Sequence, residues 1–191
     1  VGLLAAKIGC EADAKYAIQI TNLGSAYSRL SEEFLYVDWN FEGQEVFKRA
    51  VKCMARACED VLDQLGLNTA DINLVVPHQA NKRILDALAR RVGIEEDRVF
   101  INVHKYGNTS AGTIPVALAE ALEEGRVKPG DYILSATFGA GLTWGACIIK
   151  WGDRVTPLAT TDADLPPCDK TALEILQPHI SRYLAHESEP S

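Results

Sequence analysis

Between residues 44 and 65, Phe47, Ala50, Val51, Met54, Cys58, Val61, Leu62 and Leu65 recur at the spacing that returns one face of a helix to the same side. Gly66 follows as a natural C-terminal stop. Ile72 to Val76 is a compact apolar run closed by Pro77, and Ile84, Leu85, Leu88 and Val92 then restore the helical period until Gly93. The pattern predicts a strand, a polar junction at His78, and a second helix. Val99 to Val103 reads as a further strand. Ser110 to Glu124 reads as a helix that tolerates Pro115 only within or near its first turn, with Gly125 ending it. Tyr132 to Phe138 and Thr143 to Trp151 read as strands joined by the tight link Gly139-Ala140-Gly141.

The order helix, strand, helix, strand, helix, strand, strand argues for a layered α/β domain whose sheet ends in an antiparallel pair. Residues 1–43 are less regular. Val1 to Ile8 and Tyr16 to Ile20 are short apolar stretches, and Asn22 to Gly43 is rich in turn residues and aromatics, so strand plus irregular loop is expected there. The composition shifts to Pro, Thr and Asp after residue 152. The division expected is a domain over 1–152 and a tail over 153–191 carrying one short helix, Leu173 to Leu184.

Composition narrows the function classes. Of 191 residues, 47% are apolar and 24% charged, which suits a globular core and excludes a disordered chain or coiled coil. No run approaches the roughly 20 apolar residues of a membrane-spanning helix. The net charge of −7 argues against nucleic acid as a partner, although a local basic patch for an acidic protein is compatible with it. The five cysteines are odd in number and lack C-x-x-C spacing, a usage that fits a reducing compartment and a cytoplasmic protein. No basic region precedes the apolar start at Val1, so a signal peptide is not expected, and a start inside a strand without Met suggests a piece of something larger.

Three polar junctions follow predicted strands, where ligands bind in open α/β sheets. They are Pro77-His78-Gln79-Ala80-Asn81, Tyr106-Gly107-Asn108-Thr109-Ser110-Ala111-Gly112 and Phe138-Gly139-Ala140-Gly141-Leu142-Thr143-Trp144-Gly145. A neutral imidazole and a carboxamide from two of them could each donate to one oxygen, while backbone N–H groups of the Gly-rich link hold a second. Such a site suits acyl chemistry through an enolate or a tetrahedral oxyanion. Each junction alone has a plainer reading. His78 could cap the next helix, Asn108 could be a turn or cap residue, and Phe138-Gly-Ala-Gly could be a hairpin link. A dinucleotide loop at Gly139 fails, because a strand follows where a helix is required. His104, His179 and His186 lack partners at metal-ligand spacing, so no metal is expected.

In series, with their order and spacing, the three motifs closely resemble the C-terminal half of β-ketoacyl-acyl-carrier-protein synthase III. The segment Phe41-Glu42-Gly43-Gln44-Glu45-Val46-Phe47-Lys48 is also similar to this family, with Phe41 where Met is usual. The resemblance is strong over residues 40–151, weak before them and slight in the tail. It implies a thiolase-like fold, the C-terminal half of an α/β/α/β/α layered body, usually homodimeric. It further implies decarboxylative condensation of a primer acyl group with malonyl-acyl-carrier protein. Coenzyme A and phosphopantetheine thioesters would be substrates, with no permanently bound cofactor, and the acyl-carrier protein and acyl-coenzyme A would be partners. On this resemblance His78 and Asn108 are the second and third members of a Cys-His-Asn triad, Ala140 supplies an oxyanion-hole N–H, and Phe138 lies beside the malonyl carboxylate. Phe41, Gly43, Gln44, Phe47, Ala80 and Asn81 match positions lining the pantetheine tunnel, and Lys48 and Arg83 match basic residues that meet the carrier protein. For Lys48 and Arg83, an ordinary solvated helix face is the alternative.

The family's nucleophilic Cys sits in its N-terminal half, in a turn rich in Ala, Cys and Ser that has no counterpart here. Cys147 is expected mid-strand, Cys53 and Cys58 mid-helix, and Cys10 and Cys168 in loops. The chain is therefore expected to need the N-terminal half of the same synthase as its partner. Two other readings stay open: a thiolase-fold acyltransferase without condensation, against which the Asn108 motif weighs, and a non-catalytic binding half.

Overall fold

A computed structural model describes residues 1–20, 39–159, 163 and 167–187. By contact the chain forms two units, Val1–Thr21 with Trp39–Pro157, and Asn22–Asp38 with Leu158–Ser191. The first unit is built on a four-stranded sheet. Its strands are β1 (Gly2–Cys10), β4 (Leu74–Val75), β5 (Tyr132–Gly139) and β6 (Thr143–Lys150), in the order β1-β6-β5-β4. β4 runs parallel to β5, and β6 is antiparallel to both β5 and β1. The predicted antiparallel pair is thus present, and the first apolar stretch of the chain closes it on the far side. Two further strands, β2 (Ile18–Ile20) and β3 (Trp39–Phe41), pair antiparallel in a small separate sheet that leads into the first helix.

Helix α1 (Gly43–Leu65) follows the apolar period and buries Val46, Ala50, Cys53, Met54, Ala57, Cys58, Val61 and Leu62. It ends where Gly66 adopts φ +62°, which lets the Gly66 N–H return to Asp63 and Leu62 carbonyls. α1 and α2 (Lys82–Val92) cover one face of the sheet over Val75, Leu134, Ala136, Phe138 and Ile148. The alternate residues Leu74, Val76 and Ile133 point the other way and pack with Ala117 and Ala121 of α4 (Thr113–Glu123). Successive strand residues face opposite layers, so the near-continuous apolar runs of β4 and β5 record burial on both faces. Pro115 sits third in α4, within the first turn, where its missing N–H leaves no helical bond unmade.

The predicted strand at 99–103 is not formed. Only Val99 bridges Val75, and Val103–Tyr106 is a short helix, α3. The reason is local competition for hydrogen bonds: the Asn102 and Val103 N–H groups donate to the Gln79 carboxamide oxygen at 2.9 and 3.2 Å. Cys10, expected in a loop, is the last residue of β1, while Cys147 lies within β6 and Cys53 and Cys58 within α1, as expected. Much of the irregular stretch read at 22–43 lies outside the described residues. In the second unit Ala172–Glu187 forms helix α5, slightly longer than the helix predicted at 173–184.

Candidate active site

His78 leaves β4 with its backbone N–H donating to Ala136 O of β5 at 2.8 Å, so the parallel pairing continues into the junction. Asn81, and not His78, caps α2, its Oδ1 accepting from Ile84 N at 3.0 Å. The imidazole of His78 is thereby spared for another task. Its Nδ1 lies 2.6 Å from Thr113 Oγ1, and half-burial of the ring holds its pKa below the usual 6.5. Desolvation therefore favours the neutral imidazole.

The second junction turns sharply at Ser110, which at φ +54° is the one non-Gly residue with left-handed backbone among the described residues. Ser110 N–H donates to Asn108 Oδ1 at 2.9 Å, a turn that uses the carboxamide oxygen and leaves the exposed amide NH2 without a protein acceptor among the described residues. The Ser110 carbonyl lies 3.0 Å from Thr113 Oγ1. One hydrogen-bonded path therefore connects Asn108 to His78 through the Ser110 peptide and the Thr113 hydroxyl.

The third junction closes the β5–β6 hairpin. Phe138 is buried, and Ala140 is exposed at the turn, where its carbonyl accepts from Thr143 Oγ1 at 3.1 Å. Ala140 keeps an ordinary negative φ, so a residue with Cβ fits the link. His78, Ser110, Phe138, Cys10 and Trp144 line one cavity of about 710 Å³. The β1 side of this cavity depends on Gly9, paired with Trp144: a Cβ on Gly9 would lie 2.1 Å from the indole ring. Sequence reasoning missed this wall, as it did Thr113 and Gln79. Thr113 and Gln79 lie within or next to the quoted motifs, whereas Gly9 and Cys10 enter only through the β1–β6 register.

A second cavity, about 680 Å³, is lined by Phe41, Gly43, Gln44, Phe47, Lys48, Asn81 and Arg83, among others. All of these were singled out from the sequence. The Arg83 guanidinium stands 5.8 Å from the centre of the Phe47 ring. Ala80, the remaining member of that set, packs against the core under α1 and α2 instead. The five residues Pro77–Asn81 thus give His78 to one cavity and Asn81 to the other.

The thiols are poor nucleophiles where they are buried. Desolvation pushes Cys58 up to about 12 and Cys53 up to about 11, and burial raises Cys147 as well. Cys10 is exposed in the His78 cavity, with Sγ 3.7 Å from the Gly141 carbonyl. Among the described residues no group of three or more His, Cys, Asp or Glu could hold a metal ion.

Residues 62–151 match the family model described as 3-oxoacyl-[acyl-carrier-protein] synthase III C terminal. β-Ketoacyl-[acyl-carrier-protein] synthase III 2 of Vibrio cholerae is 49% identical over 189 residues, 99% of this chain and 52% of that protein. Among solved structures, the 3-oxoacyl-[acyl-carrier-protein] synthase III of Aquifex aeolicus superposes with TM-score 0.69 at 41% identity, covering 78% of this chain and 44% of that one. The Pseudomonas aeruginosa enzyme of the same name gives TM-score 0.71 at 34% identity, covering 81% and 45%. The chain spans about half the length of the curated relatives it matches. Sheet order, helix layers and strand-end junctions together define the C-terminal half of a thiolase-like α/β protein. Residues 62–151, which hold His78, Asn108 and the Gly-rich link, belong to the C-terminal domain family of β-ketoacyl-[acyl-carrier-protein] synthase III.

Proposed function

We propose that this chain supplies the decarboxylating half of a condensing enzyme that joins a primer acyl group to malonyl-acyl-carrier protein in fatty-acid or related polyketide synthesis. The observation that carries the reading is the hydrogen-bonded path that links the His78 imidazole to the Asn108 side chain through Thr113 and Ser110, with His78, Ser110 and Phe138 lining one cavity. A primer acyl group first passes from coenzyme A to a thiol of the N-terminal half; Cys53 and Cys58, buried, and Cys147, half-buried, have thiols raised by desolvation and are poor nucleophiles.

The malonyl thioester then loses carbon dioxide, and the electron pair of the broken C–C bond passes into an enolate. His78 and Asn108 donate to its oxygen. A well-aimed donor of this kind contributes about 10²- to 10³-fold in rate. Phe138 offers an apolar wall to the departing carboxylate, disfavouring the charged group it loses. The carbanion attacks the acyl thioester, the Ala140 N–H holds the tetrahedral oxyanion, and collapse expels the thiolate and releases a β-ketoacyl-carrier protein.

The second cavity suits the phosphopantetheine arm. Phe41 and Phe47 give it apolar contact, and Lys48 and Arg83 offer charge to an acidic carrier. The N-terminal half of the same synthase is the partner this reading requires, with a homodimer as the assembled enzyme and the cytoplasm as its place. No helix among the described residues is long and apolar enough to cross a membrane. Malonyl-thioester decarboxylation by the intact protein tests the reading: His78→Ala and Asn108→Ala should each slow it by about 10²-fold or more. Unchanged rates in both variants would overturn it.

A further inference from the structure

The turn that carries Asn108 has little apolar packing to fix it. α3, the single helical turn just before it, buries none of its residues, and His104, Lys105 and Tyr106 are exposed. Gly107 to Ala111, which follow, are exposed as well. A segment without core contacts keeps its place through hydrogen bonds and ion pairs, and it opens easily when they are lost.

Those bonds converge on two residues, Asn102 and Glu120. Asn102 precedes α3, is only 2% exposed, and gives its backbone N–H to Gln79, which ties the start of α3 to the His78 junction. Its Nδ2 donates to Glu120 Oε2 at 2.8 Å, while Glu120 Oε1 accepts from Lys105 Nζ. Glu120 lies seven residues after Thr113 in α4, so one carboxylate grips both the residue before α3 and the third residue of α3. The Asn108 turn is thereby held on both sides: Glu120 fixes the chain entering it, and Thr113, whose hydroxyl donates to Ser110 O at 3.0 Å, fixes the chain leaving it.

The two grips are unequal. The Lys105 side chain is 44% exposed and has a second carboxylate, Glu124, at 3.6 Å, so its pairing with Glu120 is replaceable. The Asn102 amide is buried, and an apolar residue at 120 would remove its acceptor. Glu120 lines neither cavity, so any effect it has on chemistry travels through the residues it holds.

We propose that Glu120 is a positioning residue for the condensing reaction: its carboxylate clips α3 to α4 and so holds the Asn108 turn in place. The link to catalysis rests on the condensing reading above; the clip itself does not.

The experiment compares wild type, Glu120→Ala, Glu120→Gln, Asn108→Ala and the double variant Glu120→Ala with Asn108→Ala, all in the intact protein. Amide hydrogen exchange reads the clip, through the Lys105, Tyr106 and Gly107 N–H groups that bond to the Asn102 and Val103 carbonyls. Their exchange should be at least about ten-fold faster in Glu120→Ala, while amides of β5 and β6 keep wild-type rates. Glu120→Gln keeps an oxygen that accepts from Asn102 and should exchange like wild type. In Glu120→Ala the kcat for malonyl-thioester decarboxylation should fall at least about ten-fold with KM little changed, and Glu120→Gln should recover most of it. Acyl-enzyme formation from acyl-coenzyme A, which makes no use of the Asn108 amide, should be unchanged. On the Asn108→Ala background, Glu120→Ala should cost less than about two-fold more, because the group it places is already gone. A full loss on both backgrounds would overturn the proposal, as would wild-type exchange, wild-type decarboxylation or slowed acyl-enzyme formation in Glu120→Ala. Faster exchange in Glu120→Ala together with normal decarboxylation by Asn108→Ala would refute the condensing reading, and the catalytic role of Glu120 with it, and leave the clip standing.

Discussion

The Gln79 carboxamide oxygen accepts the Asn102 backbone N–H at 2.9 Å, joining segments 23 residues apart directly behind the His78 junction. The same buried side chain donates to Pro77 O at 2.9 Å and Phe100 O at 3.0 Å and accepts from Val103 N at 3.2 Å. One carboxamide thus satisfies four backbone groups that no strand or helix pairs. Gln79→Leu keeps the volume but strands two N–H donors and removes a donor from two carbonyls. A loss of roughly 2–5 kcal/mol in folding free energy follows from the unsatisfied groups. Urea denaturation of the two proteins measures it, and a loss below the error of the method would show that water replaces the amide.

Stability should depend on pH through His78. Burial lowers its folded-state pKa, so below the unfolded value of about 6.5 the unfolded chain binds a proton that the folded protein does not. The contribution is fully present above that value and is lost as pH falls through the folded pKa. Denaturation midpoints measured from pH 8 down to pH 5 should decline more steeply in wild type than in His78→Gln. Parallel curves would show that His78 carries no such linkage.

Cys10 shares the His78 cavity and is the alternative thiol for acyl loading. If the acyl group is carried by a thiol outside this chain, Cys10→Ala leaves acyl-enzyme formation from acyl-coenzyme A unchanged by intact-mass spectrometry. Loss of the acyl adduct in that variant would place the nucleophile on β1.

The rim of the second cavity predicts a carrier-selective defect. Among the described residues Lys82 is paired with Asp86, whereas no carboxylate pairs with Lys48 or Arg83, leaving their charge available to a partner. Lys48→Glu and Arg83→Glu should raise KM for malonyl-acyl-carrier protein several-fold while leaving KM for primer acyl-coenzyme A and kcat near wild type. The defect should shrink as salt rises, because rim charges are screened. Equal effects on both substrates would assign these residues to the pantetheine arm instead.

Much of this molecule is legible along the chain. The period from Phe47 to Leu65 determined α1, the stops at Gly66 and Gly93 determined where two helices end, and the apolar runs determined β4, β5 and β6. His78, Asn108 and Phe138 stood out because strand-end polar motifs are local in sequence. Seven residues lining the second cavity were readable along the chain, whereas Val46, Lys82 and Ile84 were not singled out and Ala80 lies against the core. Periodicity has this power because it records which face of an element is hidden from water, and each element writes that record within its own few turns.

Pairing across the fold is not written that way. An extended Val99–Val103 was a sound local reading, but Gln79 took the backbone donors a neighbouring strand would have used. Asn81 rather than His78 became the helix cap, and only the completed junction decided which of the two side chains remained free for chemistry. Gly9 and Cys10 reached the cavity through a β1–β6 register. Thr113 met His78 across 35 residues of chain. The sequence by itself determined the elements and the residue types that can donate to an enolate. Tertiary structure alone decided that Nδ1 of His78 meets the Thr113 hydroxyl, because a hydrogen bond depends on the position of its partner and nothing in the local pattern encodes a partner brought in from elsewhere.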